Sequence, residues 1–404
     1  MGTCLLFSDG LLSLSNITMK KLIIAFLLLI PFIASAQPDS LSAEAKISVL
    51  TFGPYQGELY SAFGHSAIRV YDPIHGIDDA YNWGVFDFDQ PNFYLNFAKG
   101  FLYYKLGVFP YERMRDYYIY FNRYVHEQVL NLSEEEKQKL YQYLLWNAKP
   151  ENQNYRYDYF YNNCATKVRD VLITVFDKQV NFDGSYINTD YTIRQLTDLY
   201  LQQQPWGDVG IDICLGLPMD KQATSFEYMF LPDYIESGFN HASLNGKALV
   251  GETKIVYESV AEVEERSWFT PTWLFSALAA FIFVISWADY KRRKTNKIVD
   301  FILFFILGIV GCLLFFLWFF TDHKAAAVNF NLLWAFPFHL IFAFSQFGKN
   351  SLSKMYTTFA LVLTTVTLLG WSFWPQQLNT MLIPLVIIIW IRLAVNYKVR
   401  NQTL

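Results

Sequence analysis

Tyr161-Asn162-Asn163-Cys164-Ala165-Thr166-Lys167-Val168-Arg169-Asp170-Val171-Leu172 sets a cysteine where an aromatic, turn-prone run gives way to apolar residues at Val168, Val171, Leu172 and Val175. That spacing is helical, so Cys164 falls in the first turn of a helix, with Asn162 or Asn163 as N-cap. Unpaired backbone N–H groups and the positive end of the helix dipole favour the thiolate there. A nucleophilic thiol needs a base. The upstream run Ser61-Ala62-Phe63-Gly64-His65-Ser66-Ala67-Ile68-Arg69-Val70-Tyr71 offers His65 at the opening of an alternating strand.

A strand-borne histidine in Phe-Gly-His-Ser-Ala-Ile-Arg-Val, followed by Asn-Cys opening a helix, resembles the circularly permuted papain-like group that includes lecithin:retinol acyltransferase and relatives of NlpC-type peptidases. With the apolar C-terminal half, residues 45–404 resemble the Lnb-type lipoprotein N-acyltransferases of diderm bacteria. The resemblance implies an α+β, permuted papain-like thiol domain followed by an all-α membrane domain of about five helices. It also implies an activity: a fatty acyl chain moves from phospholipid, through a Cys thioester, to the N-terminal amine of lipoproteins.

Composition divides the chain in two. Residues 37–267 are mixed and tyrosine-rich, as in an exported soluble domain, whereas apolar runs dominate 268–404. Ahead of both, Met19-Lys20-Lys21, an apolar run and Ala34-Ser35-Ala36 read as a cleavable signal peptide, so 1–36 is an extension plus leader and Met19 the expected start. A net charge of -4 gives no basic excess for phosphates, which argues against nucleic acid as a partner. Cys164 and Cys214 are the two cysteines of the soluble part, and their pairing in a disulfide is the competing reading of Cys164.

The segment 79–86 is a candidate return strand beside the His65 strand, which brings Asn82 close to the imidazole. Thiol sites orient the imidazole with a third polar group, and Asn82 is the first candidate, with Asp79, Asp87 or a backbone carbonyl as alternatives. Ser61, Arg69 and Asn163 are candidate substrate contacts, against turn-capping and solvated-strand roles. Residues 89–105 are dense in aromatics, which suits either an acyl groove, the bilayer surface or an ordinary core. Ser133 with Glu136 forms a capping box for a helix to about Ala148. His126 is a second possible base on a polar-flanked strand. No histidine pair has metal-ligand spacing, so neither metal nor cofactor is expected.

Five apolar stretches follow, at 272–287, 299–320, 332–347, 355–373 and 382–395, three of them short for a full span. Basic residues follow the first (Lys291 to Lys297), the third (Lys349, Lys354) and the fifth (Lys398, Arg400), all on one side in a five-span arrangement. The thiol domain then lies opposite, in the periplasm, on a multi-pass protein of the inner membrane. Asp322, His323, Asn331 and His339 fall at the exported face, where polar groups either hold a lipid headgroup or cap and anchor helices. The expected partners are a phospholipid donor, a lipoprotein acceptor and the membrane. A membrane-tethered cysteine peptidase or amidase acting on cell-wall peptides is the enzymatic alternative, and a disulfide-containing binding module the non-catalytic one.

Overall fold

The computed structural model describes residues 40–260, 267–347 and 351–402. The expected leader lies outside them. Ten strands are described: β1 (Lys46–Phe52), β2 (His65–Asp72), β3 (Ile77–Val85), β4 (Tyr103–Pro110), β5 (Val125–Leu130), β6 (Asn154–Arg156), β7 (Val180–Phe182), β8 (Ala242–Leu244), β9 (Lys247–Ala248) and β10 (Val250–Tyr257). Seven form one antiparallel sheet in the order β10-β5-β1-β2-β3-β4-β6, and β7, β8 and β9 pair separately.

Both faces of this sheet are covered, so Ser48, Thr51 and Ser66 are buried along with their apolar neighbours. On one face Val49, Ile68, Val70, Tyr81 and Trp83 pack with Val168, Val171 and Leu172 of the helix Cys164–Phe176 and with the helix Glu134–Ala148. Burial of side chains of this size stabilises by about 1.5–3 kcal/mol each. The other face is shallower: Ala67 and Ala80 leave room for Tyr111, Met114 and Tyr118 of the helix Tyr111–Tyr120. The capping box at Ser133 and Glu136 is present as the sequence indicates.

In the C-terminal half, three helices among the described residues are long and apolar enough to cross a membrane: Pro271–Arg292, Lys297–Phe320 and Thr380–Val399. Five were expected. The fourth stretch forms the helix Ser351–Leu369, apolar over Lys354–Leu369. The third is broken: a 3-10 turn at Phe330–Leu333 precedes Pro337, and only His339–Ser345 is α-helical. Proline supplies no N–H and interrupts the ladder. This broken segment lies against the helix Lys297–Phe320 and runs back along it, with Ala335 over Gly311, Leu340 over Gly308, and the Phe347 ring 5.6 Å from that of Phe301. A Cβ on Gly311 would sit 2.1 Å from the Ala335 carbonyl oxygen, so the close approach requires glycine. At the far end, buried Arg392 donates to Asp300 (2.7 Å), Asp289 (2.9 Å) and Ser286 (3.1 Å), pinning three helices together.

The two halves meet at the helix Pro205–Cys214. Its C-terminal carbonyls have no partners within the helix, and side-chain amides of the membrane half supply them: Asn329 to Ile213 (2.8 Å), Asn331 to Asp212 (3.1 Å), with Gln376 reaching Leu215 (2.9 Å) just beyond. Val209 of the same helix belongs to the apolar cluster of the membrane half, so packing crosses the compositional boundary near residue 267.

Candidate active site

Cys164 is the first residue of its helix, and Asn163, not Asn162, caps it. The Asn163 Oδ1 accepts from the Thr166 N–H (2.9 Å), the Thr166 hydroxyl accepts from the Asn163 N–H (2.8 Å), and the Asn163 Nδ2 donates to the carbonyls of Tyr159 and Phe230. Buried, with both N–H groups of its amide donating, Asn163 fixes the start of the helix. The cap holds the thiol at the positive end of the helix dipole.

His65 opens β2. Ile68 pairs with Tyr81 in the β2–β3 register, so His65 lies opposite Gly84 and Asn82 shares its face. The His65 Nε2 is 2.6 Å from the Asn82 Oδ1, which fixes Nε2 as the protonated nitrogen and leaves Nδ1 for the thiol. Gly84 sits at a register shift in β3 with φ +101°, and a Cβ there would lie 3.7 Å from the Cys164 Cβ and 3.9 Å from the His65 Cε1. Absence of a side chain at that point keeps open the space in which thiol and imidazole meet.

Burial pushes the Cys164 thiol up, but the His65 charge and hydrogen bond, together with the backbone N–H groups of Ser66 and Ala165, pull it down, and the balance lies below the ordinary thiol value. Tyr118 stacks over His65 with ring planes 11° apart. Arg123, buried, donates from Nε to the Gly53 carbonyl (2.6 Å) and lies 4.4 Å from the Tyr118 ring centroid, adding a fixed positive charge close enough to act on the thiolate. Gly84, Tyr118 and Arg123 were not singled out in the sequence. Only the glycine at the end of a strand carries a readable signal, since β interiors disfavour it.

The other candidate contacts lie elsewhere. The Ser61 carbonyl accepts from Tyr55 and Gly64, shaping the turn that delivers His65. Arg69 spends most of its guanidinium on Asp78 (2.7 and 2.9 Å) and Glu127 (3.0 Å) and stacks on Tyr111 at 3.6 Å, which makes it a sheet-face ion-pair hub. Asp322 pairs with Arg156, and the His323 Nε2 bonds the Phe97 carbonyl (3.0 Å), so both tie the loop after the second span to the thiol domain. Asn331 is buried between the Asp212 carbonyl and the Trp334 indole. His126 is held between Glu236 and Glu258 and is no base for Cys164. Cys164 and Cys214 are both free thiols, which removes the disulfide reading.

Asp198, Asp208 and Asp212 form an acidic group that the sequence reading did not anticipate, their carboxylates within 4.8 Å of one another. Asn379 bridges Asp208 (2.8 Å) and Asp212 (2.9 Å), Arg194 binds Asp212 (2.6 Å) and Asp220, and Gln377 reaches Asp198 (3.3 Å), so the group fastens the membrane half to the Pro205–Cys214 helix. A cavity of about 480 Å³ lined by Gln56, Tyr200, Asp233 and Tyr234 includes neither Cys164 nor His65.

Residues 35–198, which carry the Cys164, His65 and Asn82 row, match the model of the Lnb N-terminal periplasmic domain, and residues 263–403 match that of the Lnb transmembrane domain. The chain belongs to the Lnb family. It is accordingly a membrane protein with a periplasmic domain, and its mixed α/β sheet domain followed by apolar helices has the Lnb layout. The Lnb models leave 199–262 unmatched, the stretch that supplies the Pro205–Cys214 helix, Asp233 and β10. No curated protein and no solved structure matches the chain.

Proposed function

We propose that this Lnb-family chain is a thiol-dependent N-acyltransferase of the inner membrane, and that Cys164, His65 and Asn82 carry its chemistry. The observation behind the reading is the row itself: a helix-start thiol and an imidazole that both border the open space at Gly84, with an imidazole nitrogen held at 2.6 Å by an amide oxygen, in a chain with membrane-crossing helices.

His65 Nδ1 takes the proton of Cys164, and Sγ attacks the ester carbonyl carbon of a phospholipid. The first-turn N–H of Cys164 has no acceptor within its helix and faces the developing oxyanion. The imidazolium then protonates the leaving alkoxide, releasing lysophospholipid and a Cys164 thioester. In the second half, the N-terminal amine of a lipoprotein attacks that thioester, His65 removes the amine's proton and returns it to sulfur, and an amide results. The imidazolium is held in place throughout by Asn82. Tyr104 and Tyr157, stacked at 4.3 Å beside the thiol, limit water at the thioester.

Mass spectrometry of lipoprotein N-termini, from cells with and without the protein, tests the acceptor. The reading predicts N-acylated termini only where the wild-type chain is present, with Cys164→Ser equivalent to its absence. Termini that stay unchanged while a peptidoglycan peptide is cleaved would place the chain with cysteine peptidases or amidases.

A further inference from the structure

The short helix Phe93–Ala98 buries none of its residues, although its sequence is Phe-Tyr-Leu-Asn-Phe-Ala. Tyr94 is 77% exposed, Phe88 60% and Leu95 53%, so this is an apolar projection and no part of the core. Contiguous exposed apolar surface of this kind needs a partner. Its rings touch one another in sequence: Phe86 to Phe88 at 4.9 Å, Phe88 to Phe93 at 5.0 Å, Phe93 to Phe97 at 6.1 Å.

Each end of the strip leads somewhere definite. At one end Phe97 meets His323 at 6.5 Å, the Lys99 carbonyl accepts the Asp322 N–H (2.8 Å), and Gly100 (φ +80°) approaches so closely that a Cβ would lie 2.8 Å from the Asp322 carbonyl carbon. Asp322 and His323 directly follow the membrane-crossing helix Lys297–Phe320, whose last residues, Phe319 and Phe320, are exposed. Exposed Trp268 and Trp273 mark the same level at the start of the helix Pro271–Arg292, in the manner of an interfacial aromatic belt. The strip is therefore fastened at the depth where apolar helix gives way to polar headgroups. At the other end Phe86 meets Tyr104 at 5.2 Å and Tyr104 stacks on half-buried Tyr157 at 4.3 Å, while Gly84, two residues before Phe86, comes so near the thiol that a Cβ on it would lie 3.7 Å from the Cys164 Cβ.

We propose that the strip from Phe86 to Phe97 lies in the headgroup layer of the bilayer, and that its rings, continued by Tyr104 and Tyr157, carry the acyl chain of a bilayer lipid to Cys164. Placement in the bilayer rests on the ring chain, on the Gly100 and Asp322 contact and on the exposed aromatic ends of the spanning helices, and is independent of the acyltransferase reading. Its use as an acyl path rests on the acyltransferase reading. A lipid surface fits better than a protein partner because the strip is continuous with the lipid-facing end of a spanning helix.

The test uses the full chain in vesicles of phosphatidylethanolamine and phosphatidylglycerol. Leu95→Cys, in a chain with Cys164→Ser, Cys214→Ser and Cys312→Ser, is labelled with an environment-sensitive fluorophore. The proposal predicts strong quenching by lipids carrying a nitroxide near the headgroup and weak quenching by aqueous iodide. Strong iodide quenching without lipid quenching overturns it, and so does shielding that appears only when a lipoprotein is added, which would make the strip an acceptor surface. For the path, Phe88→Ser combined with Tyr94→Ser and Leu95→Ser should slow acylation of Cys164 by bilayer phospholipid at least tenfold more than acylation by a water-soluble short-chain activated ester. Equal loss on both donors overturns the path. Failure of both donors to acylate wild-type Cys164 would defeat the acyltransferase reading and leave the quenching result standing.

Discussion

The His65 Nε2 and the Asn82 Oδ1 are 2.6 Å apart across neighbouring strands, seventeen residues distant in the chain. An amide oxygen accepts a hydrogen bond and leaves the proton on the donor, so the contact sets the tautomer and angle of the ring and stabilises the imidazolium without acting as a base. His65→Ala should reduce turnover by roughly 10²–10⁴-fold, and Asn82→Ala by about tenfold, because the ring stays and only its orientation loosens. Steady-state rates of folded variants check this. Wild-type turnover in Asn82→Ala would transfer the orienting role to another group.

The depressed Cys164 thiol makes a pH prediction. A thiol below its ordinary value is already thiolate where an ordinary one is not, so iodoacetamide should label Cys164 at a pH lower than that at which an ordinary thiol reacts. Burial pushes the Cys214 thiol up, so it should resist labelling until the protein unfolds. His65→Ala should shift the Cys164 reactivity profile to alkaline pH. A profile that does not move would mean that the imidazole does not set the thiolate.

At the junction of the two halves, burial and the neighbouring Asp212 charge push Asp198 up to about 8, and burial with the same neighbour pushes Asp208 up to about 6. Unfolded carboxyls titrate near 4, so between those values the folded state binds more protons than the unfolded one, and stability falls as pH rises through the folded values. Thermal unfolding in detergent should therefore show a midpoint that drops from pH 6 to pH 9. Asp198→Asn, which keeps the amide contact to Gln377 and removes a charge, should flatten that slope. An unchanged slope would place the titration elsewhere.

How far the chain could be read from its letters depended on whether the signal was local. The Cys164 helix start, the His65 strand and the Ser133 capping box are encoded within a few residues, and all three are present. The Asn82 position followed from strand alternation once β2 and β3 were paired. Roles that depend on distant partners were not legible: Arg69 has the composition of an anion ligand but meets Glu127 of β5, and Asn331 caps a helix more than a hundred residues earlier. The 332–347 stretch has the hydropathy of a span, yet Pro337 and the glycines facing it favour a broken segment that hydropathy averages over. Gly84 and Arg123 act through space on a thiol far away in sequence, and no window of the chain holds both partners.

The central claim is that Cys164 becomes acylated. Wild-type protein incubated with phospholipid should gain the mass of one acyl chain on the peptide bearing Cys164, and hydroxylamine should release it, since thioesters are cleaved by that amine. Cys164→Ser and His65→Ala should show no such adduct, while Cys214→Ser should acquire it as the wild type does. Acyl transfer to lipoprotein by Cys164→Ser, or a wild-type chain that transfers acyl groups without Cys164 ever carrying one, would contradict the account.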